Sequence, residues 1–332
     1  MRKPIPPSTQ PPARGRDDAL SARREAARLD RRDFLASLAA LALAPSAAVG
    51  SAAIAGRAML ARAIPSSGER IPAIGMGTWL TFDVRRGEKG RDQRVEVLST
   101  FFDMGGGMVD SSPMYGSAED LVGYCLERIG EAPSLFSATK VWTWGKSRGV
   151  EQMEESRRLW GVDRFDLMQI HNLLGWEDHL DTLLEDKAEG RVRYIGITTS
   201  HGRRHDDIEA IMSERPIDFV QFTYNILDRE AERRLLPMAA DRRLAVIINR
   251  PFRGGALFGH FANHPLPAWA AETDCASWAQ FFLKFIVSHP GVTCAIPATS
   301  RVDHMRDNMG ALHGRLPDQK MRERMVRYVE SL

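Results

Sequence analysis

Four side chains able to carry out acid–base chemistry lie at regular intervals in the sequence. Asp110 ends a short apolar run and opens the segment Asp110–Gly116, which also contains Tyr115; Lys140 and His171 end two later apolar runs. Asp110 and Lys140 are 30 residues apart, and Lys140 and His171 are 31 apart, about one strand–helix unit each. The segment alone is also typical of a capped turn, but this spacing predicts that the four side chains meet at one rim of a parallel sheet.

Together these groups could protonate a carbonyl oxygen. A phenol with an ordinary pKa of about 10 is a poor proton donor near neutral pH, and a neighbouring ammonium is expected to lower that pKa. Tyr115 is therefore predicted to be the general acid, with Lys140 and Asp110 behind it. His171 is predicted to donate a hydrogen bond to the same oxygen and to orient the substrate. Because no protein side chain supplies a hydride, a nicotinamide cofactor is implied.

The elements that must position these groups can be read from the apolar runs. Eight such runs predict β-strands: Ile71–Gly77, Gly107–Asp110, Ser134–Lys140, Phe165–His171, Val192–Thr198, Asp218–Asn225, Leu244–Asn249 and Gly291–Pro297. Amphipathic segments such as Arg94–Gly105 and Ser117–Gly130 lie between them and predict helices. This alternation favours an α/β fold, a (β/α)8 TIM barrel of parallel strands that forms a single domain over residues 64–332.

Composition excludes several other classes of protein. The 332 residues are 43% hydrophobic and 27% charged, with 45 basic and 43 acidic side chains and a net charge of +2. No excess positive charge is present to bind nucleic acid. The three cysteines, Cys125, Cys275 and Cys294, have neither the number nor the spacing of a disulfide framework or a zinc site. We expect buried thiols and no bound metal.

The N-terminal segment, residues 1–56, differs from the remainder. Residues 1–32 are rich in Pro, Arg and Asp and are predicted to be disordered. Arg31 and Arg32 then precede a long run of small apolar residues that resembles a twin-arginine export signal, with Ala53–Ala55 as a candidate cleavage site. The resemblance implies passage through the twin-arginine translocase, a periplasmic location and no stable membrane insertion after processing. An uncleaved anchor and an ordinary helix are the alternatives.

From about residue 64 onward the chain resembles an aldo-keto reductase. The motifs GMGTW, SPMYG, SATK and LMQIHN, with Asp110 two residues ahead of SPMYG, occur in the order and at the spacing of that family. The resemblance implies a (β/α)8 barrel that binds NADPH in an extended form and reduces an aldehyde or a ketone. The family's catalytic residues correspond to Asp110, Tyr115, Lys140 and His171.

The resemblance also implies a nicotinamide site. Thr198 and Thr199, in GITTS, stand where the carboxamide is bound, although Thr199 cannot supply the usual amide group. Gln221 corresponds to the family's carboxamide-binding glutamine, and Asn172 is a further candidate. Asn249 lies in the region where many relatives carry a tyrosine that stacks on the nicotinamide.

The remainder of the cofactor is expected to bind two later segments. RPFRGGALFG is expected to wrap the pyrophosphate, through Arg250, Pro251 and Gly254. IPATSRVDHMRDN resembles the adenosine site: Ser300 and Arg301 are candidates for the 2′-phosphate, and Asp307 and Asn308 for the adenine. Because Ala298 replaces the customary lysine, the expectation of NADP(H), with NAD(H) less favoured, depends on Arg301.

Evidence about the substrate is limited to aromatic residues in the loops. Trp79 and Trp142 are candidates to line an apolar pocket for a small carbonyl compound, and Trp144 and Trp176 lie nearby in the sequence. Packing of these loops against the barrel is an equally good interpretation. A barrel hydrolase is disfavoured because paired carboxylates are missing from the predicted strand ends. A nucleotide-binding redox sensor or accessory subunit with little turnover remains the alternative function.

Overall fold

The computed structural model describes residues 59–87 and 89–332. The predicted export signal within residues 1–56 lies outside these ranges. Within the described part of the chain, no helix combines the length and the apolar character needed to cross a membrane.

A closed barrel of eight parallel strands forms the centre of the domain. The strands, in their order around the barrel, are β3 (Met76–Gly77), β4 (Met108–Asp110), β5 (Phe136–Val141), β6 (Phe165–Ile170), β7 (Val192–Thr198), β8 (Phe219–Thr223), β9 (Ala245–Asn249) and β10 (Cys294–Ala295). Backbone hydrogen bonds from Gly75 N to Ala295 O (2.9 Å) and from Gly77 N to Pro297 O (3.0 Å) join the first strand to the last. The predicted (β/α)8 fold is confirmed.

Helices cover the outside of the barrel, most of them between successive strands and two after the last strand. They are α1 (Arg91–Asp103), α2 (Ala118–Ile129), α3 (Lys146–Trp160), α4 (Trp176–Ala188), α5 (His205–Glu214), α6 (Leu235–Asp241), α7 (Ala256–His260), α8 (Trp278–Val287), α9 (Val302–Gly310) and α10 (Gln319–Glu330). Apolar residues on their inner faces pack on the outward side chains of the strands and form the larger of two cores. The three cysteines are all buried, as expected.

A hairpin closes the N-terminal end of the barrel. Its strands are β1 (Ala61–Ala63) and β2 (Arg70–Pro72), which pair antiparallel. Ile64 and Ile71 belong to the smaller core, which fills the barrel interior together with Phe136 and other inward-facing side chains. The single predicted strand Ile71–Gly77 is therefore wrong, because its first two residues belong to this hairpin and only Met76–Gly77 enters the barrel.

Candidate active site

The centre of the site is a buried ion pair at the C-terminal ends of two neighbouring strands. Asp110 is the last residue of β4, and its register partner on β5 is Ala138, so that Lys140, two residues further on, projects from the same face. Lys140 Nζ lies 2.5 Å from Asp110 Oδ1 and 2.7 Å from the carbonyl oxygen of Ser111. Both side chains are almost completely buried.

Two glutamines from other strands complete the surroundings of the Asp110 carboxylate. Gln169 Nε2 and Gln221 Nε2 donate to Asp110 Oδ2 at 2.9 and 3.1 Å, and Gln221 Nε2 also lies 3.2 Å from Gln169 Oε1. Both oxygens of the carboxylate are thus engaged, by groups from β5, β6 and β8. The sequence analysis did not identify Gln169, although a glutamine two residues after the inward-facing Leu167 was a usable signal.

Tyr115 lies above this pair. Lys140 Nζ is 5.1 Å from the centre of the Tyr115 ring. Burial raises the pKa of the Tyr115 phenol above its ordinary 10.0, with the positive charge of Lys140 opposing the rise and the negative charge of Asp110 adding to it. The predicted lowering of this pKa by the neighbouring ammonium is present, but burial has the larger effect and the net pKa is raised. The phenol is protonated near neutral pH, which is the form that a proton donor requires.

Lys140 itself remains charged. Burial alone would lower the pKa of its ammonium group, but attraction to Asp110 and Tyr115 more than offsets this, and the pKa is raised. A permanent positive charge therefore lies below the phenol, where it stabilises negative charge that develops on the oxygen during proton transfer.

His171 follows β6 directly and faces Tyr115. The two ring centres are 5.5 Å apart and the rings are nearly perpendicular, at 88°. Burial and, second, the charge of Lys140 lower the pKa of His171 from its ordinary 6.5 to about 2. The imidazole is therefore neutral at any ordinary pH. It can donate a hydrogen bond to a carbonyl oxygen, but it does not supply the proton as an imidazolium.

These residues surround a cavity of about 260 Å³ at the C-terminal mouth of the barrel. The predicted site residues that line it are Asp110, Tyr115, His171, Asn172, Thr198, Gln221, Arg250, Pro251, Gly254 and Trp79. Residues that the sequence analysis did not select also line it, among them Thr78, Leu80, Met114, His201 and Phe258. Lys140 lies immediately beneath, with no exposed surface.

The predicted carboxamide-binding residues are held by a hydrogen-bond network. Thr198 Oγ1 accepts from the backbone N–H of Asn172 at 3.0 Å. Thr199 does not line the cavity, and its hydroxyl donates to the carbonyl of Arg203. Asn249 Nδ2 donates to Thr199 O at 2.8 Å and to Gln221 Oε1 at 3.4 Å, so that an amide from β9 reaches the region where Thr199 could not supply one.

The predicted adenosine residues lie outside this cavity. Arg301 is paired with Asp303 on the protein surface, and Ser300 precedes it in the loop before α9. Asp307 accepts from Ser277 Oγ at 2.9 Å and Gln280 Nε2 at 2.8 Å, whereas the neighbouring Asn308 is buried. The carboxylate of Asp307 is thus already occupied by partners from α8 and its N-terminal cap.

The four predicted tryptophans occupy different positions. Trp79 lines the cavity and is 37% exposed. Trp142 is 40% exposed and does not line it; its backbone N–H and carbonyl are held by the side chain of Gln152. Trp144 is largely exposed, and Trp176 packs against the outer core at the start of α4. The roles of Trp79 and Trp142 in substrate binding stay predictions.

The loop after β9 gives the mouth of the cavity a polar side. Arg250 adopts a left-handed backbone conformation, with a φ of 51°, and its guanidinium carbon lies 5.9 Å from the Trp79 ring centre. Gly254 and Gly255 also have positive φ, and no atom lies within 4 Å of the place that a side chain on Gly255 would occupy. The cavity is lined by amide and hydroxyl groups, and its mouth by a cation and by uncovered glycine backbone. This arrangement fits a ligand that carries a carboxamide and phosphates.

Comparison with known proteins agrees with this geometry. The chain is 27% identical to aldo-keto reductase YhdN of Bacillus subtilis over 216 residues, covering 59% of this chain and 63% of that relative's length. It is 23% identical to the NADH-specific methylglyoxal reductase of Escherichia coli, covering 64% of this chain and 73% of that protein. An aldo/keto reductase from Klebsiella pneumoniae, solved with NADP and acetate, superimposes with a TM-score of 0.68 at 24% identity over 79% of this chain and 92% of the other. Residues 73–324 match the Aldo/keto reductase family, and the chain therefore belongs to that family of oxidoreductases.

Proposed function

We propose that this protein reduces an aldehyde or a ketone to an alcohol at the expense of NADPH. The observation that carries the proposal is the convergence of Tyr115, Lys140 and Asp110 with His171 at one cavity. The phenol is protonated, the ammonium is charged and the imidazole is neutral. These are the states in which a carbonyl oxygen can be bound and protonated.

Each side chain has a separate role in this reaction. The imidazole of His171 donates a hydrogen bond to the carbonyl oxygen and orients it, and the phenol of Tyr115 delivers the proton. Lys140 stabilises the charge that forms on the phenol oxygen, and Asp110 keeps Lys140 in place. A bound nicotinamide nucleotide supplies the hydride that no side chain can provide.

The nucleotide is proposed to bind along the mouth of the barrel. Thr198, Asn172 and Gln221 would hold the carboxamide, and the loop from Arg250 to Gly255 would hold the pyrophosphate. We favour NADP(H) over NAD(H) because Arg301, which carries a positive charge, lies in the segment that resembles the family's 2′-phosphate site. Relatives at similar identity use either nucleotide, since the Klebsiella structure contains NADP and the E. coli reductase is specific for NADH.

Steady-state consumption of NADPH with a panel of aldehydes and ketones tests the proposal. Tyr115→Phe is expected to lower kcat at least a hundredfold while NADPH still binds, because only the proton donor is removed. Tyr124→Phe is the matched control, since Tyr124 is a surface residue of α2 whose hydroxyl contacts Asp92. Equal activity of wild type and Tyr115→Phe would contradict the assigned proton donor. Nucleotide binding without turnover in the wild type would favour the sensor alternative.

We further propose that the protein is exported to the periplasm through the twin-arginine translocase. The support is the Arg31–Arg32 pair ahead of an alanine-rich run that carries no charge from Phe34 until Arg57. Fractionation of a bacterial host should find the full chain's product in the periplasm and an Arg31→Lys, Arg32→Lys variant in the cytoplasm. Mass spectrometry of nucleotide retained by the periplasmic protein would identify the cofactor that it carries. Recovery of both forms in the cytoplasm alone would contradict export.

A further inference from the structure

Ser112 and His171 form a buried contact, and Ser112 is not among the residues to which the proposed reaction gives a role. Ser112 Oγ lies 2.7 Å from His171 Nδ1, and the two residues are 0% and 4% exposed. They lie 59 residues apart in the chain and meet because each closely follows the end of a barrel strand, β4 or β6, at the same rim. We propose that Ser112 fixes the tautomer of His171, so that the ring hydrogen is on Nε2.

The argument follows from counting hydrogens around Ser112. A hydroxyl has one hydrogen to donate and two lone pairs. The backbone N–H of Met114 donates to Ser112 Oγ at 3.2 Å, which occupies one lone pair. Among the described residues, the only other hydrogen-bond partner of this hydroxyl is His171 Nδ1. If Nδ1 carried the hydrogen, Ser112 would accept twice, and its own hydrogen would have no acceptor at a position with no exposed surface.

The hydroxyl therefore donates to Nδ1, which is bare. His171 is neutral because burial holds its pKa at about 2, so its one ring hydrogen must be on Nε2. The perpendicular contact with the Tyr115 ring, at 5.5 Å between centres, restrains the plane of the imidazole. The side of the ring opposite Ser112 then presents an N–H donor to the cavity that His171 lines.

This inference rests on the proposed function, in which His171 donates to the carbonyl oxygen. With the other tautomer, a bare Nε2 would face that oxygen and repel it. Ser112 does not line the cavity, and is a positioning residue that acts through His171.

Nitrogen-15 NMR of histidine-labelled protein tests the tautomer directly, without any assay of activity. The His171 signals are assigned by their loss in His171→Gln. In the wild type near neutral pH, we expect the shift of a bare nitrogen at Nδ1 and of a protonated nitrogen at Nε2. In Ser112→Ala the two shifts should move towards each other, because nothing then holds the hydrogen on one nitrogen. Ser112→Thr retains the hydroxyl and should retain the wild-type tautomer.

Ser156→Ala is the matched control. Ser156 is also a buried serine, and its hydroxyl donates to Glu119 at 2.9 Å, away from His171. Its loss should leave the His171 shifts unchanged. In activity assays, Ser112→Ala should lower kcat in proportion to the fraction of molecules that lose the Nε2–H donor, about twofold for an even mixture of tautomers, with little change in the KM for NADPH.

A hydrogen on Nδ1 in the wild type would overturn the inference, and so would an unchanged tautomer in Ser112→Ala. The wild-type spectrum alone can overturn the inference, even if Ser112→Ala does not fold. If the tautomer responds as expected but no carbonyl compound is reduced, the inference holds and the proposed function fails.

Discussion

At the scale of single residues, the site depends on how completely Asp110 is surrounded. One carboxylate oxygen binds Lys140 at 2.5 Å and the other accepts from Gln169 and Gln221. A buried charge is tolerated only when its partners are in place, and removal of either member of the pair leaves the other uncompensated. The position of the Lys140 ammonium, and with it the electrostatics of Tyr115, therefore depends on this one side chain.

Asp110→Asn should lower both stability and activity. The substitution keeps the size of the side chain but leaves the Lys140 charge buried without a counter-charge. We expect the free energy of unfolding, measured with urea, to fall by about 3 kcal/mol. Asp303→Asn removes an exposed partner of Arg301 and should produce no measurable change. An equal, small effect of both substitutions would show that the buried pair contributes nothing to stability.

The pH dependence of kcat/KM should follow Tyr115 and not His171. Reduction requires the protonated phenol, which is present below its pKa, and burial raises this pKa above the ordinary 10.0. The pKa of His171 falls from 6.5 to about 2, so the imidazole does not titrate in the working range. The profile should therefore be level through the ordinary histidine pKa of 6.5 and decline only above pH 10, beyond the ordinary tyrosine pKa. An inflection near the ordinary histidine pKa that disappears in His171→Gln would contradict this assignment.

At the scale of elements, the hairpin β1–β2 closes the barrel at the end opposite the site. Ile64 and Ile71 reach into the interior core, whereas the catalytic side chains lie at the other end of the barrel. Stability and catalysis are thus supported by different ends of the barrel, as is usual for this architecture.

Ile71→Ala should separate these two properties. Loss of the buried side chain, which is 3% exposed, is expected to lower the free energy of unfolding by about 2–4 kcal/mol. The kcat should change less than twofold, because the cavity is at the far rim. Val150→Ala, at a residue that is 40% exposed on α3, should alter neither quantity. A large loss of kcat in Ile71→Ala at a temperature where it is folded would show that the two ends are coupled.

The strands and helices of the barrel could largely be predicted from the sequence, whereas the N-terminal hairpin could not. Val192–Thr198 forms β7 with the predicted bounds, because six of its seven residues are buried and the segment is mostly apolar, with Arg193 as the exception. The hairpin strand Ala61–Ala63 has no such pattern, since alanine and arginine do not favour strands. Because this hairpin partner could not be predicted, the division of Ile71–Gly77 between two sheets could be recognised only from the structure.

The site divides in a similar way. Strand-end positions and spacing identified Asp110, Lys140 and His171, whose placement follows from the barrel alone. The inward face of Gln169 could be predicted from its spacing to Leu167, but its hydrogen bond to Asp110, like that of Ser112 to His171, joins residues 59 apart in the chain, which no local pattern encodes. The net direction of the Tyr115 pKa likewise required knowledge of burial, since the sequence indicated only the neighbouring charges.

At the scale of the whole molecule, closure of the barrel depends on close contact between its first and last strands. A Cβ on Gly75 would lie 2.8 Å from the carbonyl oxygen of Met108 and 3.1 Å from Cys294 Sγ. Met108 begins β4 and Cys294 begins β10, so the residue is enclosed by the strands on both sides of it. Real side chains do not tolerate such a distance to backbone, and glycine fits here without displacing either neighbour.

Gly75→Ala should therefore disturb the packing of the first barrel strand against β4 and β10. We expect a loss of about 1–3 kcal/mol in the free energy of unfolding, because the backbone must shift to accept the methyl group. Gly259→Ala, where no atom lies within 4 Å of the new Cβ, is the control and should be neutral or slightly stabilising. Wild-type stability in Gly75→Ala, measured by urea unfolding, would show that this packing adapts without cost.

The four-strand anchorage of Asp110 has a consequence for laboratory evolution of this protein. Its carboxylate ties together side chains from β4, β5, β6 and β8, so variation at any one of them disturbs the others. Trp79, Met114 and Phe258 line the cavity from loops and from α7, and take no part in the hydrogen bonds around Asp110. Libraries of variants confined to these three positions should change substrate preference and leave the residues that deliver the proton unchanged.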